Sequence, residues 1–486
     1  MFDGSLPEIG DLAALSDAAL VDAAGGWGRA EAAACARKQA VMAEIFVRRT
    51  GLDAGERELW WVDPEAAVAA ELAAALNVST GMALHLTHRG LALRDRLPKV
   101  AALFHSGLIS DLLVRTIVWR TYLIEDPDAM ANMDAALAEQ VVTWGPLSAK
   151  KTEQAIDALV ERFDPGALRR IRDSSQHRDV TFGSPSDEAG CTSMWARLLT
   201  GDAKVLEQRV NQIAGSVCDA DPRTLGERRS EALTALGDGL TELACQCGDA
   251  ECTAAGRGRT PSASTVVHVV AGADTVSAAQ VTSAADNAPP AFVIGGGILP
   301  TSLLAATLER ATWRQVRHPG VDASPEPRYR PSAELVEFVR CRDLTCRWPG
   351  CDKPADACDL DHTVPYPLGP THASNLKCLC RFHHLMKTFC GWHDQQLPDG
   401  NVVWTAPTGH TYTTRPGSAE LFPSLCRSTG KLVLPGPGTI AQRTGDRGAM
   451  MPKRRQTRAH NRAKAIAAER RLNDPFVAER NRPPPF

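Results

Sequence analysis

The chain has 486 residues, of which 44% are hydrophobic and 23% charged, with a net charge of −3. That length allows two to four domains, each large enough to bury a core, and the composition is that of a soluble globular protein. No run of about 18 or more apolar residues marks a membrane span, and the N-terminus MFDGSLPEIG has no basic segment followed by an apolar one. A cytoplasmic address is the expectation. The near-neutral total hides an asymmetry. From Met451 to Phe486 there are ten Lys/Arg against three Asp/Glu, a balance of +7, so residues 1–450 carry −10. A basic tail on an acidic body suits nucleic-acid contact, and it suits a solvated tail without a partner equally well.

The first 245 or so residues read as helical, because Ala is abundant and β-branched alternation is scarce. LPKVAALFHSGLISDLLVRTIVWRTYLIEDP contains two helical patches. Gly107 breaks the first, and Ser110 with Asp111 caps the second, whose Leu113, Val114 and Ile117 share one face. Further helices are expected over 133–143, 148–162, 203–218 and 227–245. Next, Cys245, Cys247 and Cys252 make a C-x-C-x4-C cluster, for which Cys218 or His268 could supply a fourth ligand. In a chain with no export signal, clustered cysteines favour metal binding over disulfides.

The character then changes. A Gly/Arg/Pro/Ser stretch reads as a linker, TVVHVV at 265–270 as a short buried strand, and 291–310 as strand, glycine turn and helix. No Gly-Lys-Ser/Thr or GxGxxG pattern turns that glycine run into a phosphate loop. The Pro-rich stretch at 321–331 is a second linker, and SAELVEFVRCRD a short helix. The tail from about Arg415 is rich in Pro, Gly and Arg and contains one basic helix, RAHNRAKAIAAERRL.

The chemistry is concentrated between Cys346 and His384. Cys346 and Cys351 have C-x4-C spacing around a Pro-Gly turn, and Cys380 and His383 follow as C-x2-H. A Cys3His set of this kind suits a closed tetrahedral structural zinc. Cys341, Cys358 and Cys378 complicate the choice, and Cys378 could replace Cys380. Helical i, i+3 spacing favours Cys380, which shares a face with His383.

A second set is Asp361, His362, Asn375 and His384. Adjacent residues on a strand point to opposite faces, so one of Asp361 and His362 can ligate a metal while its neighbour acts elsewhere in the site. His383 and His384 point about 100° apart on a helix, so one can face zinc and the other the second site. A carboxylate and a histidine can hold Mg²⁺ or another divalent cation, and a neutral histidine can take a proton from water. Asn375 can orient the base, and Lys387, one turn beyond His384, can contact phosphate.

This pattern resembles the HNH endonuclease family, with its ββα-metal fold. The resemblance implies that Asp361 and His384 hold the catalytic cation, that His362 is the general base, and that Asn375 orients it. The zinc-bearing branch of that family places ligands five and eight residues after the Asn, which here are Cys380 and His383; the usual Cys at the second position is His. The chain is also similar to the actinobacterial thirteen-E-twelve repeat proteins, through LPKVAALFHSGLIS, DPRTLGERRSEAL, the 346–388 stretch and the basic tail. Those proteins join a helical N-terminal domain of unknown function to a C-terminal HNH module, in a mobile-element or repeat-associated context.

The expected fold is therefore mainly α and multidomain: a helical domain over 1–255, an α/β connecting segment over 256–330, a small zinc-containing ββα-metal domain over 331–415, and a basic, partly disordered tail over 416–486. The expected function is metal-dependent DNA endonuclease. The alternatives are a non-catalytic zinc-containing DNA-binding protein and an RNA-cleaving nuclease or toxin of the same fold.

Overall fold

The computed structural model describes residues 6–50, 55–169, 179–184, 186–255, 267–280, 288–308, 312–432 and 450–482. The chain is mainly helical, with small sheets, and divides into two compact units. Met1–Arg170 together with Gln315–Phe486 forms one, and Ile171–Arg314 forms the other. Among the described residues no single helix is long and apolar enough to cross a membrane.

The first unit opens with α1 (Asp17–Thr50), α2 (Pro64–Leu76), α3 (Thr80–Asp95), α4 (Pro98–His105), α5 (Asp111–Arg120), α6 (Pro127–Gln140) and α7 (Ala149–Phe163). Side chains start most of them. The Asp63, Ser79, Ser110, Asp126 and Ser148 side chains each accept a backbone N–H in the first turn of the helix that follows. Val114 and Ile117 are fully buried with Phe104, Met133, Leu137, Ile156 and Val160 in one core, and Leu113 packs against it. The crossing of α1 and α3 is close: a Cβ at Gly90 would lie 2.3 Å from the Gln39 carbonyl oxygen.

The second unit contains the hairpin β1 (Asp179–Phe182) and β2 (Met194–Arg197), then α8 (Thr200–Ala214) and α9 (Leu225–Gly237). After them come β3 (Val269–Val270), α10 (Ala273–Ala279), β4 (Ala291–Val293), β5 (Gly297–Leu299) and α11 (Thr301–Leu308). The division is thus drawn at 170 and 314 rather than at 255 and 330. The reason is that α8 and α9 bury Val210, Ile213, Ala214, Ala232, Ala235 and Leu243 in a core of their own. Helix α9 also stops at Gly237 instead of running to 245, because Gly239 takes a left-handed φ of 75° just beyond it. The expected strand at 265–270 is only the two half-buried residues of β3, with Val267 exposed beside it; 265 and 266 lie outside the described residues.

The chain then returns to the first unit with α12 (Ala333–Asp343), capped by Ser332. The hairpin β6 (Cys358–His362) and β7 (Leu376–Cys380) runs directly into α13 (Arg381–Phe389). Beside them lies the antiparallel sheet β8 (His393–Gln396), β9 (Val402–Thr405) and β10 (Thr411–Thr414). A buried charged network ties these pieces together. Asp343 accepts from Arg342 Nε (2.8 Å), Arg347 Nη1 (3.3 Å) and the Cys378 N–H (2.8 Å). Arg342 also donates to the Ala373 and Leu376 carbonyls, and Arg347 to those of Gly400 and Thr414.

Residues 433–449 of the tail lie outside the described residues. Beyond them, α14 (Arg458–Arg471) and α15 (Asp474–Arg480) pack on the helical part of the unit. Arg458 pairs with Asp63, Arg462 with Glu65 and Arg470 with Asp164. Expectation and structure differ here. These arginines are engaged by carboxylates of α2 and the end of α7, so this part of the basic tail is a docked element.

Candidate metal centre and the charged cluster beside it

Two turns and a helix start bring Cys346, Cys351, Cys380 and His383 together. Their ligand atoms all lie within 4.8 Å of one another. His383 Nδ1 is 3.3 Å from Cys380 Sγ and 3.6 Å from Cys346 Sγ. Tetrahedral zinc, with bonds of about 2.3 Å to sulfur and 2.0 Å to nitrogen, separates such atoms by about 3.5 Å. The set can therefore hold a metal ion such as zinc. Trp348, inside the Cys346–Cys351 turn, stacks on the His383 ring at 4.7 Å and 3°. Trp392, just before β8, and Trp404 of β9 close around Trp348 at 4.4 and 5.0 Å. Cys378 takes no part: its strand position points it into the buried network around Asp343.

The hairpin and α13 bring Asp361 and His384 together on the other side of the helix. His384 Nε2 lies 3.4 Å from Asp361 Oδ1, and its Nδ1 lies 2.9 Å from Asp359 Oδ2. Asp359 is two residues before Asp361 on β6 and so shares its face. With Nδ1–H donated to Asp359, the Nε2 lone pair is directed at Asp361.

The second oxygen of Asp361 is occupied differently. Lys377 Nζ and Lys387 Nζ each lie 2.6 Å from Asp361 Oδ2. Both lysines also reach Asp394 on β8, at 2.5 and 3.1 Å. Two ammoniums and two carboxylates thus form a buried, electrically balanced square. Burial alone would raise the Asp361 carboxyl, but Lys377, Lys387 and His384 hold it well below the usual carboxylate range. Burial opposes the charge on Lys387, yet Asp361 and Asp394 hold its ammonium above the usual lysine range. The expected phosphate contact of Lys387 is replaced by this square and by bonds to the His362 and Thr363 carbonyls.

His362 faces a different environment. Its ring stacks on Tyr329 at 5.3 Å and 17°, and its Nε2 lies 2.9 Å from Thr371 Oγ1. The Thr371 hydroxyl donates to the Tyr329 carbonyl oxygen at 3.3 Å. It therefore accepts from Nε2–H, which leaves Nδ1 as the lone-pair nitrogen of His362. Burial pushes this imidazole below the usual histidine range, with Asp361 opposing and the two lysines reinforcing the shift.

Asn375 does not touch the imidazole. Its Oδ1 accepts the Val364 N–H at 2.8 Å, and its Nδ2 donates to the carbonyls of Val364 (3.0 Å) and Pro370 (2.9 Å). It pins the loop after His362, the loop that also carries Thr371. Its hydrogen bonds thus lie near His362, and any orienting effect on the imidazole acts through this loop. Sequence reasoning missed Asp359, Lys377, Asp394 and Thr371. Only Asp359 carried a signal, its period-2 spacing from Asp361.

Comparison with known proteins identifies the family. Residues 28–343 match the family described as Domain of unknown function (DUF222), and the chain belongs to that family. The match spans both compact units and ends at residue 343, just short of Cys346. The uncharacterized protein Rv2100 of Mycobacterium tuberculosis is 48% identical over 518 residues, covering 100% of this chain and 93% of the relative. Rv3776 of the same species, also uncharacterized, is 47% identical over 503 residues, covering 100% and 95%. No solved structure matches the chain.

Proposed function

We propose that the chain is a metal-dependent endonuclease that hydrolyses DNA phosphodiester bonds. The observation that carries this reading is the joint geometry of β6 and α13. Asp361 Oδ1 and His384 Nε2 are 3.4 Å apart, about half an ångström wider than the roughly 2.9 Å between adjacent ligands of octahedral Mg²⁺, so a small approach of the two would let both ligate one divalent cation. A divalent cation held there would stabilise charge on the phosphate and the leaving oxygen. His362, on the next residue of the strand, has a lone pair on Nδ1, and burial favours its neutral form, the form able to accept a proton from attacking water. Asp359 keeps His384 in the ligating tautomer. Asn375 and Thr371 hold the loop and the imidazole so that Nδ1, not Nε2, is the base. The Cys346/Cys351/Cys380/His383 zinc site anchors β7 to the start of α13 and sets the spacing of both halves.

Phosphate affinity comes from the surface around His362. Arg328, Tyr329 and Arg330 are exposed in the segment that stacks on it, and Arg381 is exposed at the start of α13. Such contacts neutralise phosphate, release counterions and carry no sequence information.

A second reading, a non-catalytic zinc-containing DNA-binding protein, is favoured by the charge square. One oxygen of the proposed ligand Asp361 already accepts two ammoniums, which lowers its capacity for a cation. The deciding experiment is supercoiled-plasmid cleavage with Mg²⁺, Mn²⁺ or Ni²⁺, comparing wild type with His362→Ala. Metal-dependent nicking that falls by about 10²–10⁴-fold in the folded variant supports the endonuclease. DNA binding without cleavage by either protein supports the second reading, and preferential cleavage of RNA moves the substrate to RNA.

A further inference from the structure

We propose that Cys218, Cys245, Cys247 and Cys252 bind a second zinc ion in a closed four-thiolate site inside the unit Ile171–Arg314. The proposal is independent of the nuclease reading. The four sulfurs all lie within 4.8 Å of one another, and all four cysteines are free thiols. Cys218 Sγ is 3.4 Å from Cys245 Sγ. That is far longer than a disulfide bond of about 2.05 Å, and close to the roughly 3.8 Å that separates sulfurs in tetrahedral zinc–thiolate geometry.

The backbone around the thiols is organised by bonds that do not involve sulfur. Gly248 takes a left-handed φ of 75° directly after Cys247 and turns the chain back. The Cys252 N–H donates to the Asp249 carbonyl at 3.2 Å, and the Cys245 N–H to that of Ala254 at 3.1 Å. Three thiols on one loop are thereby turned toward one point. The fourth comes from the turn after α8, tied to the same loop by the Leu243 N–H bond to Ser216 Oγ at 2.8 Å. Asp221 accepts the Gln246 N–H at 2.9 Å, and Arg223 links Asp221 to the Ala244 carbonyl.

The site also meets a need of the fold. The core around α8 and α9 has six buried residues, of which only Val210, Ile213 and Leu243 are larger than Ala. Small cores of this kind gain stability from a structural metal. Four soft, closely packed thiolates favour zinc over hard cations such as Mg²⁺ or Ca²⁺.

The test is elemental analysis of the full-length chain, purified under reducing conditions. Two zinc ions per chain are expected. Cys247→Ser or Cys351→Ser should each leave one, and the double variant none. Because a serine variant can misfold, wild-type protein is also treated with a thiol-alkylating reagent before and after zinc release. Peptide mapping should show Cys218, Cys245, Cys247 and Cys252 protected before release and modified after it. One zinc per chain, lost with Cys351→Ser but kept with Cys247→Ser, would overturn the proposal. So would a Cys218–Cys245 disulfide in the native protein, early alkylation of all four thiols, or iron instead of zinc at this site.

Discussion

Asp361 serves two neighbours at once: one oxygen takes the ammoniums of Lys377 and Lys387, and the other faces His384. Lys377 is fully buried, so Lys377→Met leaves Asp361 and Asp394 sharing the single ammonium of Lys387. Removing one partner of a buried charged set costs about 3–5 kcal/mol, and denaturant unfolding should read a loss of that order. A loss below about 1 kcal/mol would show that the square is hydrated and not structural. Asp359→Asn acts on the other oxygen's partner. On the proposed endonuclease reading it removes the carboxylate that fixes the His384 tautomer, and divalent-cation affinity measured by calorimetry should fall about 10–100-fold with the zinc content unchanged. At Gly369 a Cβ would lie 2.2 Å from the Val364 carbonyl oxygen and 2.6 Å from Asn375 Nδ2. Gly369→Ala should therefore destabilise the loop carrying Thr371 by about 1–3 kcal/mol, visible as a lowered Tm. These residues differ in how they could be read. Cys346, Cys351, Cys380 and His383 were legible because ligand spacing is local. Lys377 was not, since a lone lysine in a strand reads as solvated; it becomes part of the site only because the hairpin register places it directly opposite Asp361.

The C-terminal helices show how an element's meaning depends on what it packs against. As sequence, α14 is a basic helix that suits nucleic-acid contact and a solvated tail equally well. In the fold, Arg458, Arg462 and Arg470 pair with Asp63, Glu65 and Asp164, and Asn473 donates to the Gly166 and Leu168 carbonyls. The docking should depend on pH through Glu65. Burial would raise this carboxyl, but His88, Arg462 and Arg458 together hold it below its usual value. A lowered folded value means that its contribution is complete above the unfolded value of about 4.3 and is lost as pH falls through the folded one. Tryptic release of the tail after brief exposure to acid should therefore increase below about pH 4. Glu65→Gln should show the same release at neutral pH and a weaker acid dependence. An unchanged profile in the variant would assign the docking to the other pairs.

At the scale of the molecule, the first unit is assembled from two distant stretches. The Trp61 and Trp60 rings meet Phe382 and Phe389 of α13 edge-on, Trp60 pairs with Lys453, and Glu71 accepts from Thr408. The helical part and the metal module are thus one packed body, although well over a hundred residues separate them in the chain. Proteolytic nicking within residues 171–314 should leave the 1–170 and 315–486 fragments co-eluting in size-exclusion chromatography. Separation of the fragments without denaturant would contradict that packing. The helical character of the first 245 or so residues, the Ser110 cap and the ligand spacing within the two cysteine clusters were legible in the sequence alone, because each rests on spacing within a few residues or on a single capping side chain. Tertiary structure decided the rest: the division into units, the pairing of Asp361 with two buried lysines, the action of Asn375 on the loop, and the docking of the basic helix. Each depends on charges and backbone groups brought together from far along the chain, where burial makes every unpaired group costly and so selects its partner.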